Sequence, residues 1–338
     1  MDAAALHALL APIPSPDVDT GAVAVDGALV AASVAYLESP AAAASVARDT
    51  YWPKWDSPWW HMLLLFELGL ATRIPSTIVA RMVDGLSALP LHVFPIHEHE
   101  WPPGADRKRD SACHCALGCM HQVLTACGVD VARALPWIEP WFARYQMPDG
   151  GANCDETAYV SGEPDASSMV GTIAPFEAML AGPMSSFLER AAGFLIGRRL
   201  VDGSPSRHNA EERASAPGWL QLAFPRFYFY DVLRGLTALV RFSDIHDRPL
   251  PVAAVAPAAA HLAARFPDGV VRIGRRARDL HASTMAFVDG AWGRHPTSSF
   301  ALLDAVSRVG AVSPALTREW TATRRTLLAL ASAGRLVD

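Results

Sequence analysis

The sequence lacks the features by which membrane proteins and nucleic-acid-binding proteins are most easily recognised. No uninterrupted apolar run approaches the roughly 18 residues that a transmembrane helix needs, and the longest apolar stretch, Trp59 to Leu70, contains His61 and Glu67. The 338-residue chain has no extended basic run, and its formal net charge is −5. We therefore expect no membrane span and no nucleic-acid partner.

Lysine and cysteine are also scarce. Lys54 and Lys108 are the only lysines, and together with the richness in alanine this indicates a compositional bias, from which we infer no function. The five cysteines, an odd number, all lie between Cys113 and Cys154. Such clustering argues against a disulfide framework and for reduced thiols. Asp2 stands where a secretory leader would be basic, so we expect a cytoplasmic protein.

The apolar periodicity is helical almost throughout the chain, and strand-like alternation is rare. Hydrophobic residues make up 51% of the chain and charged residues 19%, and the 26 prolines lie mostly between the helical stretches. These observations predict an all-α fold with a large core. The predicted helices are Ala3–Leu10, Val23–Leu37, Ala41–Arg48, Pro58–Leu70, Ser76–Ala88, Ser111–Cys127, Val131–Tyr145, Ser167–Leu180, Ser185–Arg198, Arg226–Phe242, Val252–Arg265, Ser298–Val309 and Pro314–Ala333.

An Asp-Gly pair recurs at the ends of predicted helices, at Asp149-Gly150, Asp202-Gly203 and Asp268-Gly269, with a spacing of about 50 to 65 residues. Glycine ends a helix easily because it adopts the left-handed conformation without steric cost. Repeated helical hairpins stack into solenoids or close into toroids. We predict a single (α/α) toroid of about six hairpins with a central cavity, with an N-terminal extension over 1–50, the repeats over 51–310 and a C-terminal helix over 311–338. Two further pairs, Asp84-Gly85 and Asp289-Gly290, are interpreted as incidental.

Three segments carry a family resemblance: Met147–Cys154 (MPDGGANC), Ser167–Ile173 (SSMVGTI) and Phe224–Arg234 (FPRFYFYDVLR). They resemble the bacterial prenyltransferase and squalene-cyclase repeat proteins. The resemblance implies a toroid whose central cavity binds an apolar or isoprenoid-like small molecule, with cyclisation or prenyl-transfer chemistry. Two residues depart from the family pattern, since Ala152 stands for the usual Trp and Val170 for the usual His.

Cysteine and histidine concentrate between Asp110 and His121. Thiolates and imidazoles are the ligands that zinc and similar metals favour, and on a helix Cys115 and Cys119 are i,i+4 neighbours that could hold one ion. His114 and His121 lie two turns apart, roughly 10 Å along the axis, so they cannot share an ion. The alternative is that these cysteines are small buried residues in tight helix contacts.

The same segment resembles the inner helix of zinc-dependent protein prenyltransferases, and that resemblance implies His114 as a metal ligand. A thiolate and a carboxylate would come from other inner-helix starts, for which Cys154, Asp155 and Asp165 are candidates. The candidate metal ligands are therefore His114, Cys115, Cys119 and Cys154, and the predicted cofactor is zinc or another transition metal.

Carboxylates and aromatic residues supply the other candidates. Asp17–Thr20 resembles in part the Asp-x-Asp-Asp acid of class II terpene cyclases, but a turn or helix cap is the preferred interpretation. Aromatic faces can stabilise carbocations and bind apolar chains, although they are also ordinary core residues. The candidate catalytic residues are His114, Asp155, Asp165, Asp231 and Tyr230. The candidate substrate-binding residues are Trp55, Trp59, His61, Tyr228 and Ser167.

Several common catalytic motifs are missing from the sequence. It contains no nucleotide-binding fingerprint, no Gly-x-Ser-x-Gly elbow and no His-Glu-x-x-His motif, so we expect no nucleotide cofactor. Three hypotheses follow. The first is an isoprenoid-type toroid enzyme with a small-molecule substrate, the second a metal-dependent toroid enzyme acting on a more polar small molecule, and the third a binding or scaffold protein without catalysis.

Overall fold

The computed structural model describes residues 1–16, 26–278 and 283–338. These residues contain sixteen α-helices, and 53% of the described residues are helical. The all-α prediction is confirmed. The Asp17–Thr20 segment lies outside the described residues, as does the beginning of the predicted helix Val23–Leu37.

The helices are short and are joined by ordered turns. The α-helices are Ala3–Leu10, Gly27–Leu37, Pro40–Arg48, Pro58–Glu67, Ser76–Ser87, His114–Ala126, Val131–Ala134, Ile138–Arg144, Glu156–Val160, Met169–Met179, Ser186–Gly197, Ala210–Ser215, Val232–His246, Val252–Arg265, Ala301–Val306 and Pro314–Ser332. Short 3-10 helices are Ala71–Arg73, Glu98–Glu100 and Ala216–Leu220. Strand Leu250–Pro251 pairs in parallel with Leu336–Val337, and Ser283–Val288 pairs antiparallel with Ala291–Pro296.

Most helix ends lie within a few residues of the predicted bounds, because caps and breakers are local signals. Two predicted helices differ. The predicted Val131–Tyr145 helix is broken between Ala134 and Ile138, where Pro136 supplies no backbone N–H. The helix predicted from Arg226 begins instead at Val232, because the Asp231 side chain accepts a hydrogen bond from the Arg234 N–H (3.0 Å) and caps it there.

Asp289-Gly290 has a structural role, so the interpretation of this pair as incidental was wrong. It forms the turn between strands Ser283–Val288 and Ala291–Pro296. Both residues have positive φ, 53° and 81°, which is the two-residue type I′ turn that matches the twist of a hairpin. The Asp-Gly pair itself, a preferred sequence for two-residue hairpin turns, was the available signal for this turn.

The core is built by helices that contact one another in chain order. Helix His114–Ala126 lies between Pro58–Glu67 and Met169–Met179, and Val232–His246 contacts both Met169–Met179 and Pro314–Ser332. Helices His114–Ala126 and Met169–Met179 approach each other closely at Gly118, where an added Cβ would lie 2.3 Å from the Ala174 carbonyl carbon. A toroid requires such successive contacts, and closure into a toroid stays a prediction.

Membrane-spanning potential is limited to one pair of helices in the described ranges. No single helix there combines the length and the apolar character needed to cross a bilayer. Gly27–Leu37 and Pro40–Arg48 satisfy the length and composition criteria only as a pair, bent by 59°.

Candidate functional site

Three cysteine thiols meet at the N-terminal end of helix His114–Ala126. The Sγ atoms of Cys113, Cys115 and Cys154 all lie within 4.8 Å of one another, and those of Cys113 and Cys115 are 3.4 Å apart. A disulfide needs about 2.0 Å, so the thiols are free. Within the described part of the chain, no other group of three Cys, His, Asp or Glu side chains is close enough to hold one metal ion.

The start of the helix places two of the thiols. Cys113 is the N-cap residue, with extended backbone (φ −121°, ψ 162°), and Cys115 lies in the first turn. The backbone N–H of Cys115 has no intrahelical acceptor and donates to the Sγ atom of Cys154 at 3.4 Å. The helix end therefore stabilises negative charge on the sulfur atoms.

The third thiol is held by the turn that precedes it. Gly150 has φ +94°, and the Met147 N–H donates to the Gly151 carbonyl oxygen at 2.8 Å, which closes the turn. An added Cβ at Gly151 would lie 2.6 Å from the Ser167 side chain. A glycine at this position therefore lets the segment approach Ser167 closely, and Cys154 reaches the helix end three residues later.

The spacing of the sulfur atoms suits a tetrahedral ion. Zinc–sulfur bonds of about 2.3 Å at tetrahedral angles place sulfur atoms about 3.8 Å apart. The Sγ atoms of Cys113 and Cys115 are 3.4 Å apart and the other two separations do not exceed 4.8 Å, so the group is compact enough for its thiols to share one ion. The group offers three ligands, one fewer than a closed structural zinc site.

The three thiols share protons unequally. Hydrogen bonds from the thiols of Cys115 and Cys154 hold the pKa of Cys113 well below its ordinary value, and the Ala116 N–H contributes to this. Because their thiols donate to Cys113 and are buried, Cys115 and Cys154 have pKa values well above the ordinary value. Cys113 is therefore the most acidic of the three thiols, whereas Cys115 and Cys154 keep their protons at neutral pH.

Lys54 lies beside the thiols in a cage of aromatic rings. Its Nζ atom is 4.7 Å from the ring centroid of Tyr228 and 5.3 Å from those of Tyr51, Trp52 and Trp55. The ammonium donates a hydrogen bond to the Tyr228 hydroxyl at 2.9 Å. Burial lowers the pKa of Lys54, and the charges of the neighbouring thiols partly offset this effect.

A cavity of about 270 Å³ opens next to this cluster and is lined by Cys113, Cys154 and Lys54. Its other walls include apolar side chains, Leu86, Leu89, Phe94, Trp101 and Met120. Its charged lining is Lys54, Arg107, Lys108, Arg109, Asp49 and Glu156. A molecule in this cavity would contact thiols, an ammonium and an apolar wall together.

His114 does not join the thiol group. Its Nδ1 atom accepts a hydrogen bond from the Trp141 indole at 2.8 Å, and its Nε2 atom lies 2.8 Å from the Tyr159 hydroxyl. Burial lowers the pKa of His114 to about 4, so the ring is neutral. Both ring nitrogens are engaged within the core, and Cys113 rather than His114 joins Cys115 and Cys154.

Cys119 is also separate from the thiol group. Its Sγ atom contacts the Phe227 carbonyl oxygen (3.8 Å) and the Arg234 guanidinium (4.0 Å). Burial raises the pKa of Cys119 to about 12. The predicted ligand set of His114, Cys115, Cys119 and Cys154 is therefore only partly brought together, through Cys115 and Cys154.

The predicted acids lie away from the thiols or are engaged elsewhere. Asp155 caps helix Glu156–Val160 and pairs with His208 at 3.1 Å. Asp165 contributes its carbonyl oxygen to Ser204 and Arg198, and the cap of helix Met169–Met179 is Ser168. Asp231 is fully buried, and burial raises its pKa.

Tyr230 and Ser167 are buried, and each has a hydrogen-bond partner. The Tyr230 hydroxyl donates to the Leu200 carbonyl oxygen at 2.8 Å. The Ser167 hydroxyl donates to the Asp149 carboxylate. Asp155 and Tyr230 line a second cavity of about 960 Å³, together with His208, Trp219 and Phe229, so two of the predicted catalytic residues share a cavity that differs from the thiol cavity.

The predicted substrate-binding aromatic residues divide into two groups. Trp55 stacks on Phe227 (5.6 Å between ring centroids), and with Tyr228 it forms part of the Lys54 cage. Trp59 is buried in the core. His61 stacks on Phe300 at 3.6 Å, and its Nδ1 atom lies 3.1 Å from the Ser33 hydroxyl.

Sequence reasoning missed Cys113 and Lys54 as site residues. On the helix predicted from Ser111, only Cys115 and Cys119 were considered as an i,i+4 pair of thiols. The helix begins at His114, which makes Cys113 its cap residue. The scarcity of lysine was the available signal for Lys54, since both lysines of the chain, Lys54 and Lys108, line this cavity.

No family model matches this chain, and no curated protein or solved structure matches it either. The resemblance to prenyltransferase and squalene-cyclase repeat proteins therefore stays a hypothesis that rests on the quoted segments.

Proposed function

We propose that the chain is a metal-dependent enzyme that binds one zinc-type divalent ion through Cys113, Cys115 and Cys154. The observation that supports this is the meeting of three thiols from two separate segments beside one cavity. Three protein ligands leave one tetrahedral position for water or substrate, as in catalytic zinc sites. The bound ion would supply Lewis-acid chemistry to a small molecule in the cavity.

The charges around the site are consistent with this proposal. Three thiolates and a divalent ion carry a net charge of −1, and a buried charge is costly without a partner. The Lys54 ammonium lies beside the thiols and would balance that charge. Binding of the ion would require the loss of the protons on Cys115 and Cys154, since ligating cysteines are deprotonated.

Elemental analysis of protein purified from zinc-supplemented cells tests the proposal. We expect one ion per chain in the wild type and loss of the ion in Cys113→Ser, Cys115→Ser and Cys154→Ser. The matched controls are Cys119→Ser and Cys127→Ser, which remove thiols outside the group and should keep the ion. His114→Gln should also keep it, with a lower melting temperature. Equal metal loss in ligand and control variants would contradict the proposal.

A second candidate function is the binding of an apolar, isoprenoid-like molecule in a toroid of the prenyltransferase and squalene-cyclase type. The observation in its favour is the apolar wall of the cavity, with Leu86, Phe94 and Met120. Quenching of tryptophan fluorescence by farnesol, a fifteen-carbon isoprenoid alcohol, tests it. Saturable binding that Met120→Arg abolishes would support this candidate, and non-saturable quenching in both proteins would contradict it.

A further inference from the structure

We propose that Lys54 binds an aldehyde or ketone covalently, as a protonated imine, in the cavity beside the thiols. The inference rests on the proposed function in one respect, namely that this cavity is the substrate site. It does not require the metal ion.

The position of the Lys54 amine is the first support. Lys54 lines the cavity together with Cys113 and Cys154, and its Nζ atom lies between four aromatic rings at 4.7–5.3 Å. Lysines that condense with carbonyl groups are typically desolvated in this way.

The Tyr228 hydroxyl is the second support. It lies 2.9 Å from the Nζ atom, within the range in which a side chain can transfer a proton. Burial raises the pKa of Tyr228 well above its ordinary value, so the phenol keeps its proton at neutral pH. The phenol can therefore give a proton to the oxygen that leaves and regain one from the nitrogen.

The reaction conserves charge at the site. The lysine ammonium and the carbonyl compound give a protonated imine and one water molecule. A C–N bond forms, the C–O bond of the carbinolamine breaks, and its oxygen leaves as water. Since one positive charge is present before and after, the same aromatic faces stabilise reactant and product. The cage therefore suits the protonated imine as well as the free ammonium.

Reductive trapping tests the inference on the intact protein. Wild-type protein is incubated at pH 7 with benzaldehyde and sodium cyanoborohydride, which reduces a protonated imine to a stable secondary amine, and the adducts are located by peptide mass mapping. We expect the benzyl adduct on Lys54 to form at least about tenfold faster than on Lys108 or on the N-terminal amine. Lys108 is the natural control, because it is the only other lysine and is exposed.

Two variants sharpen the comparison. Lys54→Arg should abolish the fast adduct, and Lys108→Arg should retain it. If wild-type Lys54 is labelled no faster than Lys108 and the N-terminus, the inference is overturned, and this result needs no variant to fold. Zinc content is measured on the same samples. A fast Lys54 adduct in protein that binds no zinc would overturn the metal proposal alone, whereas bound zinc without the adduct would overturn only the imine.

Discussion

The Lys54 Nζ atom lies 2.9 Å from the Tyr228 hydroxyl, although the two residues are 174 positions apart in the chain. Glu67 holds the segment that precedes Tyr228. Its carboxylate accepts hydrogen bonds from the backbone N–H groups of Arg226 (2.7 Å) and Phe227 (2.6 Å). The end of helix Pro58–Glu67 therefore sets the segment that carries the phenol to the lysine.

Removal of the Tyr228 hydroxyl should slow the chemistry of Lys54 without affecting the thiols. Tyr228→Phe keeps the ring of the cage and deletes the proton relay, so the rate of imine trapping with benzaldehyde should fall on the order of 100-fold. Metal content should stay unchanged, since Tyr228 belongs to neither segment that carries a thiol. An unchanged trapping rate would show that the Tyr228 hydroxyl takes no part in proton transfer to or from the reacting groups.

The buried Glu67 carboxyl should make stability depend on pH. Burial raises its pKa to about 7 despite the nearby Arg226 charge, whereas in the unfolded chain it titrates near the ordinary value of 4.5. Its contribution to stability is therefore fully present below about pH 4.5 and is lost as the pH rises through 7. A pKa rise of that size corresponds to roughly 3 kcal/mol.

Denaturant unfolding of wild type and Glu67→Gln at pH 5 and pH 8 isolates this contribution, because the amide does not titrate. Relative to the variant, the wild type should lose on the order of 2–3 kcal/mol between the two pH values. If the free energies of unfolding of the two proteins differ by the same amount at pH 5 and at pH 8, the raised pKa of Glu67 is refuted.

Metal affinity should rise steeply with pH. The pKa values of Cys115 and Cys154 are raised well above the ordinary value, so these two thiols keep their protons at neutral pH and binding of one ion should release at least about two protons. Competition with a chelator of known pH dependence should show about 100-fold tighter binding per pH unit below neutrality. A change below about tenfold would mean that the thiols ionise independently of the ion.

The contact between helices His114–Ala126 and Met169–Met179 should be intolerant of any side chain at Gly118. The Cβ of Gly118→Ala would lie 2.3 Å from the Ala174 backbone, which cannot move aside as a side-chain tip can. We expect a loss of about 2–3 kcal/mol in the free energy of unfolding. Gly193→Ala is the matched control in another helix, since nothing lies within 4 Å of its added Cβ, and it should be neutral or stabilising.

Local patterns allowed the helices to be predicted from the sequence. Apolar periodicity and flanking residues such as Asp2 and Pro251 act within a few residues, so the bounds of Ala3–Leu10 and Val252–Arg265 agree with the predicted ones. The hairpin around Asp289-Gly290 was missed because the pair was weighed only as a helix stop. Each flanking strand is only six residues long, and a search for helical periodicity does not detect the pairing of two strands.

The thiol group could be predicted only in part, because its geometry depends on contacts between distant segments. Cys115 and Cys154 were candidates from the sequence. Cys113 enters only because the helix begins at His114 rather than at Ser111, which leaves Cys113 on extended backbone. The engagement of His114 by Trp141 and Tyr159 depends on residues 27 and 45 positions further along the chain, which no local pattern reveals.

X-ray absorption spectroscopy at the zinc edge is the most direct test of a three-thiolate metal centre. The proposed metal site predicts three sulfur ligands at about 2.3 Å and one lighter ligand at about 2.0–2.2 Å, with the number of sulfur ligands reduced in any Cys113→Ser protein that retains metal. A first shell dominated by imidazole nitrogen, or one that Cys113→Ser leaves unchanged, would contradict the assignment of Cys113, Cys115 and Cys154 as the metal site.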